Sequence, residues 1–193
     1  MKNTLENHFL IAMPSLQDPY FERSVTYICE HNEHGAMGIV INQPAGMTVK
    51  ELLKHTEIDG PIDEKKGECI VVAGGPVNQD RGFILHSPKA GYSGSMEINS
   101  EIMVTTSKDI LEDIGNDNSP HKTVVALGYA GWSAGQLEEE IQQNSWLVVE
   151  SDAELLFDVP IHKKWEAAVH KLGIDVWQLS SDNAANKGAP LGH

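Results

Sequence analysis

The sequence predicts an α+β domain. Nine short runs rich in Val and Ile, each bounded by Gly, Pro, Asn or Asp, read as strands. Helices are announced by their caps rather than by long amphipathic stretches. Hairpin-like pairs mix with strand–helix–strand units, which argues against a regular doubly wound sheet.

Taken in order, Phe9–Ala12 is the first strand. Ser24–Cys29 and Met37–Asn42 flank the polar loop EHNEHGA and predict a hairpin. Thr48-Val-Lys-Glu51 fits a capping box, in which hydroxyl and carboxylate satisfy orphan amides reciprocally, and opens a helix. Cys69–Ala73, Phe83–His86 and Ile102–Thr106 follow as strands. Ser107 opens the helix SKDILEDI, which Gly115 ends. Thr123–Tyr129 is a strand, and Ser133-Ala-Gly-Gln136 is a second capping box. Trp146–Glu150 and Glu154–Asp158 read as the last strands. Pro160 suits a first helical turn; Ile161, Trp165, Ala168, Val169 and Leu172 then share one face, and Gly173 stops the helix. From Ser181 onward the chain is small and polar and is expected to be a disordered tail, leaving residues 1–180 as one domain.

The chain has 193 residues, 40% apolar and 22% charged, the balance of a soluble globular protein. No run approaches a membrane span, and the N-terminal residues show no secretory signal. Cys29 and Cys69 both sit in apolar, strand-like runs and are expected to be buried reduced thiols, which fits a cytoplasmic protein. The formal net charge is −14. Duplex binding needs a stripe of Lys and Arg to displace counterions, and none is present, so direct nucleic-acid binding is disfavoured.

Four motifs invite a chemical reading. Gly131-Trp132-Ser133-Ala134-Gly135 is a literal G-x-S-x-G between a strand and a helix, the setting of a hydrolase nucleophile. Asp152 or Asp158 and then His162 or His170 even follow in hydrolase order. Those histidines, however, fall off the apolar stripe of a helix, and no segment resembles an oxyanion loop. Ser133 as a helix cap explains the residues without chemistry, and the serine hydrolase is the alternative reading. Gly128, Gly131 and Gly135 precede a helix, but no Lys-Ser/Thr follows and Glu138, Glu139 and Glu140 would repel a phosphate. Cys29-Glu-His31-Asn-Glu-His34 lacks a fourth ligand and predicts no metal site. His162, Glu166 and His170 read as a solvated helical stripe. No cofactor is implied.

Arginine is used sparingly. Arg23 and Arg81 are the only two, against twelve lysines. A guanidinium offers a fixed bidentate fork for carboxylate or phosphate, so sparing use suggests dedicated placement.

FLIAMPSLQDPYFERSVTYICEHNEHGAMGIVINQP (9–44), GGPVNQDRGFILH (74–86) and GYAGWSAGQLEEEIQQNSWL (128–147) together resemble the bacterial AlgH/YqgE family. The resemblance runs from about Phe9 to Trp177. It implies a mixed β-sheet, partly barrel-like, flanked by helices. It carries a transcriptional-regulator label linked to alginate production but no assigned reaction. In the family pattern the position of Ser133 varies, whereas Gly131, Trp132, Gly135, Gln136 and Leu137 recur. The resemblance thus implies no catalytic residue and a binding or regulatory module, with an unknown protein or small anionic ligand as partner. Arg23 and Arg81 lie inside its motifs and are the expected ligand-binding residues. Asn42 and His86, which close the runs GIVIN and GFILH, are expected to join them if those ends converge. Trp132 is expected to be a buried anchor.

Overall fold

A computed structural model describes residues 4–173 apart from Ser15, Gln17, Pro19, Tyr20, Asp59 and Pro61. The polar tail from Ser181 lies outside the described residues. Among the described residues ten strands carry the fold: β1 (His8–Ala12), β2 (Val25–Asn32), β3 (Gly35–Val40), β4 (Pro44–Thr48), β5 (Ile70–Ala73), β6 (Val77–His86), β7 (Ser95–Glu97), β8 (Met103–Thr105), β9 (Thr123–Ser133) and β10 (Trp146–Glu150). The helices are α1 (Val49–His55), α2 (Glu64–Gly67), α3 (Lys108–Ile114), α4 (Gln136–Gln142), α5 (Ala153–Phe157) and α6 (Lys164–Lys171). The strand order is β10-β1-β2-β3-β9-β6-β8-β7, with the β4–β5 pair attached to β9. Among the described residues only β5–β9 is parallel. The sheet curls into a half-barrel flanked by helices.

The curl turns on β9. One edge of this eleven-residue strand pairs with β6, while its other edge passes from β5 (Val72↔Ala126) to β3 (Gly38↔Ala130). Gly128 stands between, at φ +79°. A Cβ there would lie 2.4 Å from the Gly75 carbonyl oxygen, and one on Gly75 would lie 2.2 Å from Tyr129 backbone atoms. Only glycine allows two backbones this close. The Gly74 N–H donates to Leu127 O at 2.7 Å, and Gly74 O accepts from Val40 N at 2.9 Å. The segments 9–44, 74–86 and 128–147 therefore meet backbone to backbone at this crossing.

Alternation along the strands feeds three cores, because successive side chains leave opposite faces of a strand. Phe9, Ile11, Tyr27, Phe83, Leu85 and Ala126 face the interior, which α5 and α6 close with Leu156, Trp165 and Val169. Ile84, Val71 and Val125 face outward onto α1 and α3. Leu10, Ile28, Ala130, Trp132 and Trp146 pack with Leu137 of α4. Burial on both faces explains why these strands read as unbroken apolar runs. The Trp165 indole N–H donates to Ala12 O at 3.0 Å, tying α6 to β1.

Most expected elements are present, including the β2–β3 hairpin and the Thr48 cap, whose hydroxyl accepts from Glu51 N. Four expectations are corrected. The expected strand Glu154–Asp158 is instead the helix α5 with Asp158 as its C-cap, and Asp152 caps its start by accepting from Leu155 N at 2.6 Å. The segment after Pro160 begins as a 3₁₀ turn (Ile161–Lys163) before α6. Cys69 is exposed, because it precedes β5 at the end of α2, whereas Cys29 is buried. Ser133 does not cap α4. It is the last residue of β9, and the cap position belongs to Gly135 at φ +76° with no side-chain bond.

Candidate functional site: the Arg81 cleft

Between Val77 and Gly82 the β6–β9 register slips: Val77 pairs with Tyr129 and pairing resumes at Gly82 with Leu127. Residues 78–81 thus bulge opposite Gly128, with Asn78 at φ +47°. A bulge frees side chains from the ladder. Arg81 is thereby exposed at the mouth of a cleft of about 630 Å³.

The cleft draws on all three segments that meet at the Gly75–Gly128 crossing. Its deep wall comes from interior residues Cys29, Phe83 and Val104, and its rim from the hairpin residues Asn32, His34 and Gly35 together with Gly131. The Arg81 guanidinium stands 5.4 Å over the Phe83 ring, which meets Tyr129 edge-on at 5.5 Å. This aromatic wall holds the fork and leaves its edge available, as a cation over a ring face is held by the ring quadrupole. Among the described residues Arg81 makes no ion pair. Glu30, the carboxylate on the same lining, accepts instead from Asn32 Nδ2 at 3.3 Å. The Cys29 thiol is held well above its ordinary range, chiefly by burial and then by Glu30 and Glu6, which disfavours its thiolate form.

The four expected ligand residues do not converge. Arg23 and Asn42 share a separate cleft of about 230 Å³ with Glu166 and Trp165. There Arg23 lies 5.1 Å over the Trp165 indole at a left-handed φ of +53°. Asn42 is structural: its Oδ1 accepts from Val25 N at 2.8 Å and its Nδ2 donates to Arg23 O at 2.9 Å. His86 is fully buried and reaches neither rim. Its Nδ1 faces Ser87 O at 2.8 Å and its Nε2 faces Thr105 Oγ1 at 2.6 Å, while burial lowers its pKa, so the ring is neutral and internally satisfied. The sequence reading missed Phe83 and Tyr129, hidden in apolar runs; the glycines on either side of Tyr129 were the signal available.

Ser133 is exposed, and its hydroxyl donates to Gln136 Oε1 at 3.2 Å, an oxygen that also accepts from Ser133 N at 3.0 Å. An amide oxygen takes no proton, so this contact activates nothing. His31 bonds Glu138 and accepts from Leu5 N at 2.9 Å, while His34 is exposed. Among the described residues no three His, Cys, Asp or Glu side chains converge as a metal set. No helix among them is long and apolar enough to cross a membrane.

Residues 9–177 match the family model described as AlgH-like. A UPF0301 protein of Pseudoalteromonas translucida is 56% identical over 179 residues, covering 93% of this chain and 97% of that protein. Another, of Vibrio cholerae, is 55% identical over 181 residues, covering 92% and 97%. The solution structure of the AlgH protein from Pseudomonas aeruginosa is similar over 100% of this chain and 97% of its own, with 40% identity and a TM-score of 0.78. A Corynebacterium diphtheriae protein of known crystal structure shares the fold at 20% identity, covering 88% of each chain with a TM-score of 0.71.

Proposed function

This chain belongs to the AlgH-like family, and on that premise we propose that it is a non-enzymatic binding or regulatory module whose Arg81 cleft receives an anionic group of a small ligand or acidic peptide. The observation that carries this reading is a guanidinium without a carboxylate partner among the described residues, at the mouth of a cleft built by all three motif segments. A carboxylate or phosphate on that fork gains two parallel charge-assisted hydrogen bonds, each contributing about 1.5–3 kcal/mol. The Phe83–Tyr129 wall and Met37 offer apolar contact beside it. Regulation then runs through a ligand or protein partner rather than through phosphate-backbone contacts, which a chain of net charge −14 disfavours.

A thermal-shift screen of carboxylate and phosphate metabolites tests the reading. A ligand at about 100 times its Kd stabilises by about 2.7 kcal/mol. A hit should raise the Tm of the wild type clearly more than that of Arg81→Lys, since a point charge does not replace the planar fork. Equal shifts in both proteins would count against it.

A further inference from the structure

A second cleft, of about 610 Å³, is walled by β5, the first residues of β9 and the corner between α5 and α6. Its walls are mostly apolar, with Val72, Val124, Phe157, Val159 and Ile161 among them. Set into these walls are three lysines, Lys66, Lys122 and Lys164, and two imidazoles, His121 and His162. Two carboxylates, Glu68 and Asp158, oppose them, so with neutral imidazoles the lining carries 3 − 2 = +1 in a chain of −14. This is a local reversal of the molecule's charge.

Lys164 is the unusual member. It is only 3% exposed, although lysine is almost never buried unpaired. Its Nζ donates to Leu156 O at 2.6 Å, which satisfies a carbonyl of α5. That uses one of the three N–H bonds of an ammonium. The adjacent Asp158 carboxylate is taken by Lys122, whose Nζ bonds Asp158 Oδ1. Capping α5 therefore accounts for the position of Lys164 but leaves its charge poorly compensated.

We infer that this cleft binds a small amphipathic monocarboxylate, with its apolar body against Val72, Val124, Phe157 and Ile161 and its carboxylate on Lys164 and Lys122. Glu68 and Asp158 on the same lining work against a dianion such as phosphate, and the apolar walls work against a wholly polar one. Burial holds the Lys164 ammonium down to about 8, with Asp158 acting in the opposite direction. A bound carboxylate favours the charged form, so binding takes up protons above about pH 8.

Octanoate and octanol, titrated into ¹⁵N-labelled full-length protein, separate charge from apolar contact. At about pH 7, octanoate should bind at least about tenfold tighter than octanol, as expected for one charge-assisted hydrogen bond. The amide shifts should centre on Thr123–Val125 and Ile161–Lys164. The advantage should shrink as pH rises to about 10, where the free amine is neutral. Lys164→Met should reduce the advantage and erase its pH dependence between about pH 7 and 10. Lys122→Met changes a half-exposed side chain and should reduce the advantage, so it keeps the test decisive if Lys164→Met does not fold. Equal affinities for the two probes, no shifts at millimolar octanoate, shifts centred on Arg81 instead, or an unchanged preference in Lys122→Met would each overturn the inference.

Discussion

The indole N–H groups of Trp132 and Trp146 donate to the same atom, Glu140 Oε1, at 3.2 and 3.1 Å. The two rings meet edge-on at 6.2 Å, and both residues are buried. Gln136 Nε2 bonds the other carboxylate oxygen at 3.0 Å. One acid from α4 thus locks the ends of β9 and β10 together. This is the physical content of the Trp132 anchor.

Glu140→Ala should leave two buried indole donors without their acceptor. At about 1–3 kcal/mol for each unsatisfied group, the loss should amount to about 2–4 kcal/mol once some water entry is allowed. Glu140→Gln keeps an oxygen acceptor and should cost about 1 kcal/mol. Urea unfolding followed by tryptophan fluorescence measures both, and near-equal losses would contradict the shared-acceptor account.

Gly75→Ala and Gly128→Ala should each cost more than about 3 kcal/mol, because a Cβ would meet backbone atoms and each φ is positive. Gly46→Ala, also at positive φ but with nothing within 4 Å of its Cβ, should cost only about 1 kcal/mol. Denaturation midpoints of the three variants test whether the crossing, rather than backbone strain alone, explains the motif glycines.

Ser133→Ala should change stability by no more than about 0.5 kcal/mol, as the hydroxyl is exposed and caps nothing. Gln136→Ala should cost more, because Gln136 holds the Ser133 N–H. A large Ser133→Ala effect in equilibrium unfolding would restore the capping role.

Lys164 gives stability a pH dependence of definite sign. Its folded pKa is lowered from 10.5 to about 8, so between those values the unfolded chain binds more protons than the native one. Its burdened charge is fully present below about pH 8 and is relieved as pH rises toward the unfolded value. The stability of the wild type relative to Lys164→Met should therefore increase by about 2 kcal/mol from about pH 8 to 10. A constant difference across paired denaturation curves would contradict the burial of a charged amine.

How much of this was legible follows from the kind of constraint. The strands around Phe9, Val25 and Ile39 were readable because they are buried on both faces. The Glu154–Asp158 helix was not, since AELLF is as apolar and short as a strand and only the Asp152 cap distinguishes it. Ser133 misled because a capping box and a strand end offer the same residues; the left-handed Gly135 decided between them. Arg81 was marked as a candidate by its rarity, but its cleft depends on a bulge facing Gly128 across the sheet. His86 ends an apolar run as expected, yet its partner Thr105 is nineteen residues away, a pairing that local pattern does not reveal.

The most direct test of the Arg81 cleft is an amide-shift titration of ¹⁵N-labelled protein with any anion that the thermal screen returns. Shifts should centre on Gly35, Met37, Arg81 and Gly131, and Arg81→Lys should weaken binding by about 1.5 kcal/mol or more, roughly tenfold in Kd. Shifts centred elsewhere, or an unchanged Kd in a folded Arg81→Lys protein, would contradict the account.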